Sequence, residues 1–124
     1  INIEEIDSNL TSKIDKFHFS NVIFNLIDNA IKYTITNPKI NIKVYQIGAL
    51  IKITIRDNGI GISKANQDKI FNKFHRVTQG NIHNVKGFGL GLNYVKRIVE
   101  LHNGNISVKS ELDKGSTFII DLPV

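Results

Sequence analysis

Two asparagines and a lysine recur at helical spacing in the first third of the chain. Asn25, Asn29 and Lys32 fall on one stripe of a helix, with Tyr33 at its edge. Asparagine is a poor helix former, so its repeated use in one helix needs an explanation. A solvated face is one explanation, since the chain has 15 asparagines. The other is chemical: an amide oxygen for Mg²⁺, which needs one or two protein oxygens when phosphates and waters complete its shell, with a lysine nearby for phosphate.

A second candidate is Asp57, which begins the segment Asp57-Asn58-Gly59-Ile60-Gly61. Asp57 continues the alternate positions at which the isoleucines of the preceding run point into the core. A carboxylate that points into the core is costly unless it is hydrogen-bonded. A surface turn is the alternative, because Asp, Asn and Gly are common turn residues. A polar helix rather than a partner strand follows, however, which favours a buried acceptor that faces a ligand amine.

A third candidate is the glycine-rich segment at residues 87–92, which leads directly into a predicted helix. Glycines permit close backbone approach, and the free N–H groups of a helix N-terminus attract phosphate. The spacing matches neither the dinucleotide-binding fingerprint nor a Walker loop. Taken alone, the segment is equally consistent with a flexible hinge.

Composition excludes several other kinds of chemistry. The 124 residues include no cysteine, which rules out disulfides, a thiol nucleophile and cysteine-ligated zinc. The four histidines lack metal-ligand spacing. A net charge of +5 makes an anionic ligand plausible, but the basic residues are scattered among acidic ones without an aromatic platform, so nucleic acid is not expected as a partner. No apolar run is long enough for a membrane span.

The elements that must position these candidates follow from hydrophobic periodicity. Helices are predicted over residues 16–34, 63–73 and 90–102, the second opened by Ser63. A short strand is predicted at 1–5, a hairpin at 39–46 and 51–55, and a closing pair at 105–110 and 116–122. Residues 78–88 are polar and without pattern. The order predicts one α+β domain, a layer of helices against a mostly antiparallel sheet. Because the chain has no methionine and begins with isoleucine, we expect a piece of a longer protein.

Taken together and in this order, the motifs resemble those of the ATP-binding catalytic domain of sensor histidine kinases, in the Bergerat-fold (GHKL) superfamily. The resemblance spans residues 15–124, and the joint occurrence of its five motifs is highly specific. The motifs lie at residues 25–34 (the N box), 57–62, 70–77 (the F box), 87–92 and 115–118. The resemblance implies a two-layer α/β sandwich with a mixed, mostly antiparallel sheet, covered on one face by helices and carrying a mobile ATP lid.

The resemblance also implies a role for each matching position. Asn29 would supply the Mg²⁺ ligand, with Asn25 near the phosphates and Lys32 binding them. Tyr33 would lie against adenine or ribose, and Asp57 would accept a hydrogen bond from the exocyclic amine of adenine. Residues 78–88 would be the lid. The remaining matched positions assigned to the nucleotide site are Gly59, Gly61, Phe71, Phe74, Arg76, Lys86, Gly87, Gly89, Leu90, Gly91, Leu92 and Thr117.

The implied activity is phosphoryl transfer from Mg-ATP to a histidine on a separate dimerisation domain, with a response regulator downstream. None of the four histidines is followed by an acidic residue, as the family's acceptor motif requires, so that domain is expected to be missing here. The resemblance further implies a homodimeric membrane sensor as parent, this domain lying in the cytoplasm and monomeric when isolated. The alternatives are a GHKL-type ATPase, an anti-sigma-type serine kinase, or a nucleotide-binding module without transfer activity. Hydrolysing members carry a Glu at the position of Asn25, and an amide is no general base.

Overall fold

The computed structural model describes residues 2–5, 16–34, 37–67, 69–72 and 91–123. In that part of the chain the strands form one five-stranded sheet, in the order β1-β2-β3-β5-β4. The strands are β1 (Asn2–Glu5), β2 (Ile40–Ile47), β3 (Leu50–Asp57), β4 (Asn105–Glu111) and β5 (Gly115–Pro123). β1 runs parallel to β2 and every other neighbouring pair is antiparallel, which confirms the mixed, mostly antiparallel sheet.

The register of the sheet lines up one apolar face. Ile42 pairs with Ile55, and Ile55 pairs in turn with Phe118. The side chains of these three residues are at most 7% exposed. Because successive strand residues point to opposite faces, the alternating isoleucines of β2 and β3 form one side of the core.

Two helices cover that face. They are α1 (Lys16–Lys32) and α3 (Gly91–Leu101), and both contribute to the single core cluster. Val22, Leu26, Val95 and Val99 have no exposed surface. The two-layer α+β arrangement is therefore confirmed.

α1 and α3 run antiparallel, so the early part of α1 packs against the end of α3. The ring of Phe19, early in α1, meets the ring of His102, just after α3, with centroids 5.5 Å apart. The middle of α1 consequently lies beside the first residue of α3. This arrangement brings the predicted stripe of asparagines next to the end of the glycine-rich segment.

The predicted helix over 63–73 is much shorter in the structure. α2 covers only Lys64–Gln67, and turns follow at residues 69–72. The carbonyl of Ser63 accepts from the N–H groups of Asn66 and Gln67, so the helix begins where predicted. The side chain of Gln67 donates to the carbonyls of Ile62 and Ser110 instead of extending a solvated helical face. The predicted lid at 78–88 lies outside the described residues.

Candidate nucleotide-binding site

The side chain of Asn25 lies where α1 meets the start of α3. Its Nδ2 donates to the carbonyl of Asn21, one turn earlier, over 2.7 Å. Its Oδ1 faces the start of α3, since a Cβ on Gly91 would lie 3.3 Å from that oxygen. The structure therefore brings two predicted site residues together: Asn25, through its amide oxygen, and Gly91, at the N-terminus of α3.

Asn29 and Lys32 follow along the same stripe. The half-buried side chain of Asn29 makes no hydrogen bond to any residue in the described ranges, so its amide is available. The Nζ atom of Lys32 lies 2.9 Å from Oδ2 of Asp28, with both side chains over a third exposed. Such a surface pair contributes only about 0.3–0.5 kcal/mol, so an arriving phosphate could displace it. The phosphate role of Lys32 stays a prediction.

Asp57 ends β3 in the core phase of the sheet, opposite Ile40, and is only 8% exposed. Its Oδ1 accepts from the N–H of Gly59 over 2.8 Å and from the N–H of Ser116 over 3.2 Å. No described residue donates to Oδ2. Burial raises the pKa of the Asp57 carboxyl above its usual value, against the lowering effect of the two hydrogen bonds. One carboxylate oxygen is thus fixed by the backbone, while the other has no donor in the part of the chain that the structure describes.

The loop after Asp57 is attached to both layers. Its Ile60 N–H donates to the carbonyl of Tyr33, at the end of α1, and its Ile60 carbonyl accepts from the N–H of Asp113, between β4 and β5. Gly59 and Gly61 permit these close approaches. A Cβ would lie 2.6 Å from the carbonyl oxygen of Tyr33 at Gly59, and 2.1 Å from the carbonyl oxygen of Glu111 at Gly61.

Gly61→Ala should therefore destabilise the fold strongly. Gly61 has a φ of +76°, which costs an L-residue about 1–2 kcal/mol, and backbone overlap adds about 1–3 kcal/mol. We expect urea denaturation to show a loss of about 2–5 kcal/mol. Gly48→Ala is the matched control, because its φ is +59° and nothing lies within 4 Å of the added Cβ. Equal losses for the two variants would refute the steric account.

Phe71 and Leu92 are two predicted site residues that the structure packs against the core cluster. The rings of Phe71 and Phe118 pack edge to face with centroids 6.2 Å apart. The carbonyl of Phe71 accepts from Nδ2 of Asn93, which attaches this segment to α3, and Leu92 packs against the core. The predicted site residues outside the described ranges are Phe74, Arg76, Lys86, Gly87, Gly89 and Leu90.

Thr117 does not join this set. It alternates with the buried Ser116 and Phe118, so its side chain lies on the sheet face opposite the helices, in register with Arg56 and Lys109. Ser116 takes the place expected for Thr117, because it is 7% exposed and its N–H donates to Asp57. The sequence does contain a signal for Ser116, because this polar residue lies two positions before Phe118 and therefore points to the same face of the sheet.

Comparison with known proteins shows which family the chain belongs to. Residues 14–124 match the sequence profile described as "Histidine kinase-, DNA gyrase B-, and HSP90-like ATPase". The chain belongs to this ATPase family. The resemblance inferred from the five motifs is thereby confirmed.

Curated relatives within the ATPase family carry sensor names. The chain is 44% identical over 135 aligned positions to the sensor protein RprX of Bacteroides fragilis, covering 100% of this chain and 26% of RprX. It is 40% identical over 121 positions to the signal transduction histidine-protein kinase ArlS of Staphylococcus aureus, covering 94% of this chain and 27% of ArlS. The chain thus spans about a quarter of the length of these relatives.

Solved structures of family members share the fold. A mycobacterial sensor histidine kinase, MprB, superposes with a TM-score of 0.83 at 26% identity, over 98% of this chain and 80% of that one. The catalytic domain of the histidine kinase ThkA also gives 0.83, at 28% identity over 98% and 77%. Full-length ShkA in complex with AMPPNP gives 0.76 at 25% identity, over 98% and 25%. Among the described residues, no helix is long and apolar enough to cross a membrane.

Proposed function

We propose that this domain binds Mg-ATP and transfers the γ-phosphoryl group to a histidine on a separate dimerisation domain, in two-component signal transduction. The observation that carries the proposal is Asp57, a buried carboxylate held through Oδ1 with Oδ2 unpartnered among the described residues. An acceptor of this kind suits the exocyclic amine of adenine, which is a donor. The family match and the AMPPNP-bound ShkA structure support a nucleotide as the ligand.

The adenine end of the proposed site is formed by Asp57, Gly59 and the end of α1. The N–H of Gly59 donates to Asp57, and a Cβ on Gly59 would lie 2.6 Å from the carbonyl oxygen of Tyr33. Both glycines of this loop are required by its own packing, since a Cβ on either would overlap a backbone carbonyl oxygen, and the loop is thereby held beside Asp57. Tyr33 remains the candidate that lies against the adenine or ribose.

The phosphate end is formed by the α1 stripe and the start of α3. Asn25 Oδ1 lies beside Gly91, and the free N–H groups of a helix N-terminus attract phosphate. Lys32 would exchange Asp28 for a phosphate oxygen. The proposed lid, residues 78–88, would close over this end, and Arg76 and Lys86 are candidates for contact with the phosphates.

The donor set fits a magnesium ion that is shared with the nucleotide. No cluster of three acidic or histidine ligands occurs within the described ranges, so a cage built from protein carboxylates is not available there. Mg²⁺ needs only one or two protein oxygens when phosphates supply others, and Asn29 has an amide without a partner among the described residues. We therefore assign Asn29 as the metal ligand. When bound, the ion would neutralise charge on the β- and γ-phosphates.

Catalysis in this proposal depends on positioning rather than on a protein base. Phosphoryl transfer breaks the bond from the γ-phosphorus to the β-γ bridging oxygen and forms a bond to an imidazole nitrogen, so the acceptor itself is the nucleophile. Asn25, where hydrolysing relatives carry Glu, is an amide whose Nδ2 is already bonded to Asn21. In this proposal the chain orients the nucleotide and Asn25 supplies no base to activate water, which favours transfer over hydrolysis.

The parent protein in this proposal is a homodimeric membrane sensor with this domain on the cytoplasmic side, where ATP is available. The names of the relatives RprX and ArlS support a sensor of this kind. The dimerisation domain would present the acceptor histidine, a response regulator would then receive the phosphoryl group, and the isolated domain would be monomeric.

The isolated 124-residue chain should not phosphorylate itself when incubated with Mg²⁺ and ATP labelled in the γ position. Two of its histidines already contact their neighbours: Nδ1 of His18 lies 2.9 Å from the hydroxyl of Tyr94, and Nδ1 of His102 lies 2.8 Å from the carbonyl of Ile98. His75 and His83 lie outside the described residues. Acid-labile label on any of the four histidines would contradict the assignment of the acceptor to another domain.

A further inference from the structure

The hydroxyl group of Ser110, on β4, makes three hydrogen bonds in a network that includes Ser116, the neighbour of Asp57. Its Oγ lies 2.7 Å from the N–H of Ile62, 2.9 Å from the carbonyl of Gly115 and 2.7 Å from Oγ of Ser116. These three partners lie on the loop after β3 and at the start of β5. One hydroxyl therefore joins three segments that converge at the adenine end of the proposed site.

The directions of these bonds follow from proton counting. A serine hydroxyl has one proton to donate and two lone pairs. The carbonyl of Gly115 can only accept, so Ser110 must donate to it, and the N–H of Ile62 can only donate, so Ser110 must accept from it. The remaining contact leaves Ser116 as the donor to Ser110.

The direction of the Ser116 bond bears on Asp57. The backbone N–H of Ser116 donates to Oδ1 of Asp57, so the serine lies against the carboxylate. Its hydroxyl proton, however, is held by Ser110 and does not satisfy the carboxylate. Without Ser110 that proton loses its acceptor, and we expect it to turn to the neighbouring carboxylate, whose Oδ2 has no donor among the described residues and which is a strong acceptor.

We propose that Ser110 is a positioning residue for base recognition: its hydroxyl holds Ser116 and the loop at Ile62 so that Asp57 keeps one oxygen free for the amine of adenine. This inference rests on the proposed function, because it presumes that Asp57 binds the base. Gln67 reinforces the arrangement from α2, since its Nε2 donates to the carbonyls of both Ile62 and Ser110. The close approach of β5 to Asp57 requires a glycine at position 115, because a Cβ there would lie 2.1 Å from the carbonyl oxygen of Asp57.

The test measures the affinities of ATP and GTP, each with Mg²⁺, for the full chain by titration calorimetry. For Ser110→Ala we expect ATP binding to weaken about three- to tenfold, the effect of one hydrogen bond, while GTP binding stays unchanged. Ser110→Thr retains the hydroxyl and should restore discrimination between the bases. Ser107→Ala, an equivalent truncation on the opposite face of β4, should bind both nucleotides like the unmodified chain.

Each outcome separates positioning from mere structural support. A purely structural role would weaken ATP and GTP equally, and an Ala variant with an unchanged ATP-to-GTP ratio overturns the proposal. A Thr variant that discriminates no better than Ala overturns it as well. If circular dichroism shows the Ala variant unfolded, Ser110→Cys replaces it, because a thiol is a weak hydrogen-bonding group of similar shape. Equal binding of ATP and GTP by the unmodified chain removes base recognition by Asp57, and with it this inference.

Discussion

Asp57→Ala should abolish the preference of this domain for adenine and weaken ATP binding by about ten- to 150-fold. The size follows from losing a hydrogen bond to a charged, buried acceptor, which contributes about 1.5–3 kcal/mol. GTP presents a carbonyl oxygen where ATP presents an amine, so its binding should change far less. Affinities for ATP and GTP, measured side by side on both forms, check this expectation. Unchanged discrimination in the variant would disprove the role of Asp57.

Asp57→Asn separates recognition from stability. The amide keeps an oxygen for the Gly59 and Ser116 N–H groups but places an NH₂ group where the adenine amine would donate. Because burial raises the pKa of Asp57 in the folded state, the charged carboxylate opposes folding at neutral pH. The Asn variant should thus bind ATP poorly yet unfold at the same or a higher temperature at pH 7, where an ionised Asp57 is a cost.

The raised pKa of Asp57 predicts the direction in which stability and ATP affinity change with pH. The cost of the charged Asp57 grows as the pH rises from the ordinary carboxyl pKa through the raised pKa of the folded state. The advantage of Asn over Asp in melting temperature should therefore shrink as the pH is lowered through that window. ATP affinity of the unmodified chain should fall over the same window, because protonation removes the charged acceptor. A melting-temperature difference that is flat with pH would contradict this account.

Asn29→Ala should reduce phosphotransfer to a supplied acceptor domain by about 100- to 1,000-fold, the usual effect of removing one group that stabilises the transition state. The γ-phosphoryl would lose its charge compensation and its alignment. Adenosine binding should change little, because Asp57 and the glycine loop lie at the other end of the site. Full transfer by the Ala variant would remove Asn29 from the mechanism.

Asn29→Asp is the sharper control for the metal. It keeps an oxygen ligand but adds negative charge beside the phosphates. With Mn²⁺, which accepts carboxylate ligands readily, it should retain more activity than the Ala variant. If the Asp variant were no more active than Ala in Mn²⁺, ligation by this side chain would be refuted.

Periodicity predicted most of the fold because the buried residues of β2, and likewise those of β3, all lie at alternate positions along their strand. The isoleucines of β2 and β3 line up as their parity indicated, and the same parity predicted that Asp57 would be buried. A carboxylate in core phase is informative because it needs hydrogen bonds, and the structure supplies two.

Two predictions differ from the structure, for different reasons. The motif at 115–118 predicts Thr117 for the site, but it is Ser116 that lies on the same sheet face as Phe118. The pattern predicts a helix over 63–73, but α2 covers Lys64–Gln67, and the side chain of Gln67 donates to the carbonyls of Ile62 and Ser110. No local pattern shows that Ser110, 43 residues away, provides that acceptor. Its network depends on the pairing of β4 with β5 and was invisible before the fold was known.

The most direct test of the account is transfer of label from γ-labelled ATP by this chain to a separate histidine-bearing dimerisation domain from a sensor kinase, with Mg²⁺ present. The account predicts label on that domain that is lost in acid and stable in alkali, as phosphohistidine is, and little label when Asn29 or Asp57 is replaced by alanine. Acid-stable label would instead indicate a serine kinase. Binding of ATP with release of free phosphate, and no label on the acceptor, would contradict the account and indicate an ATPase.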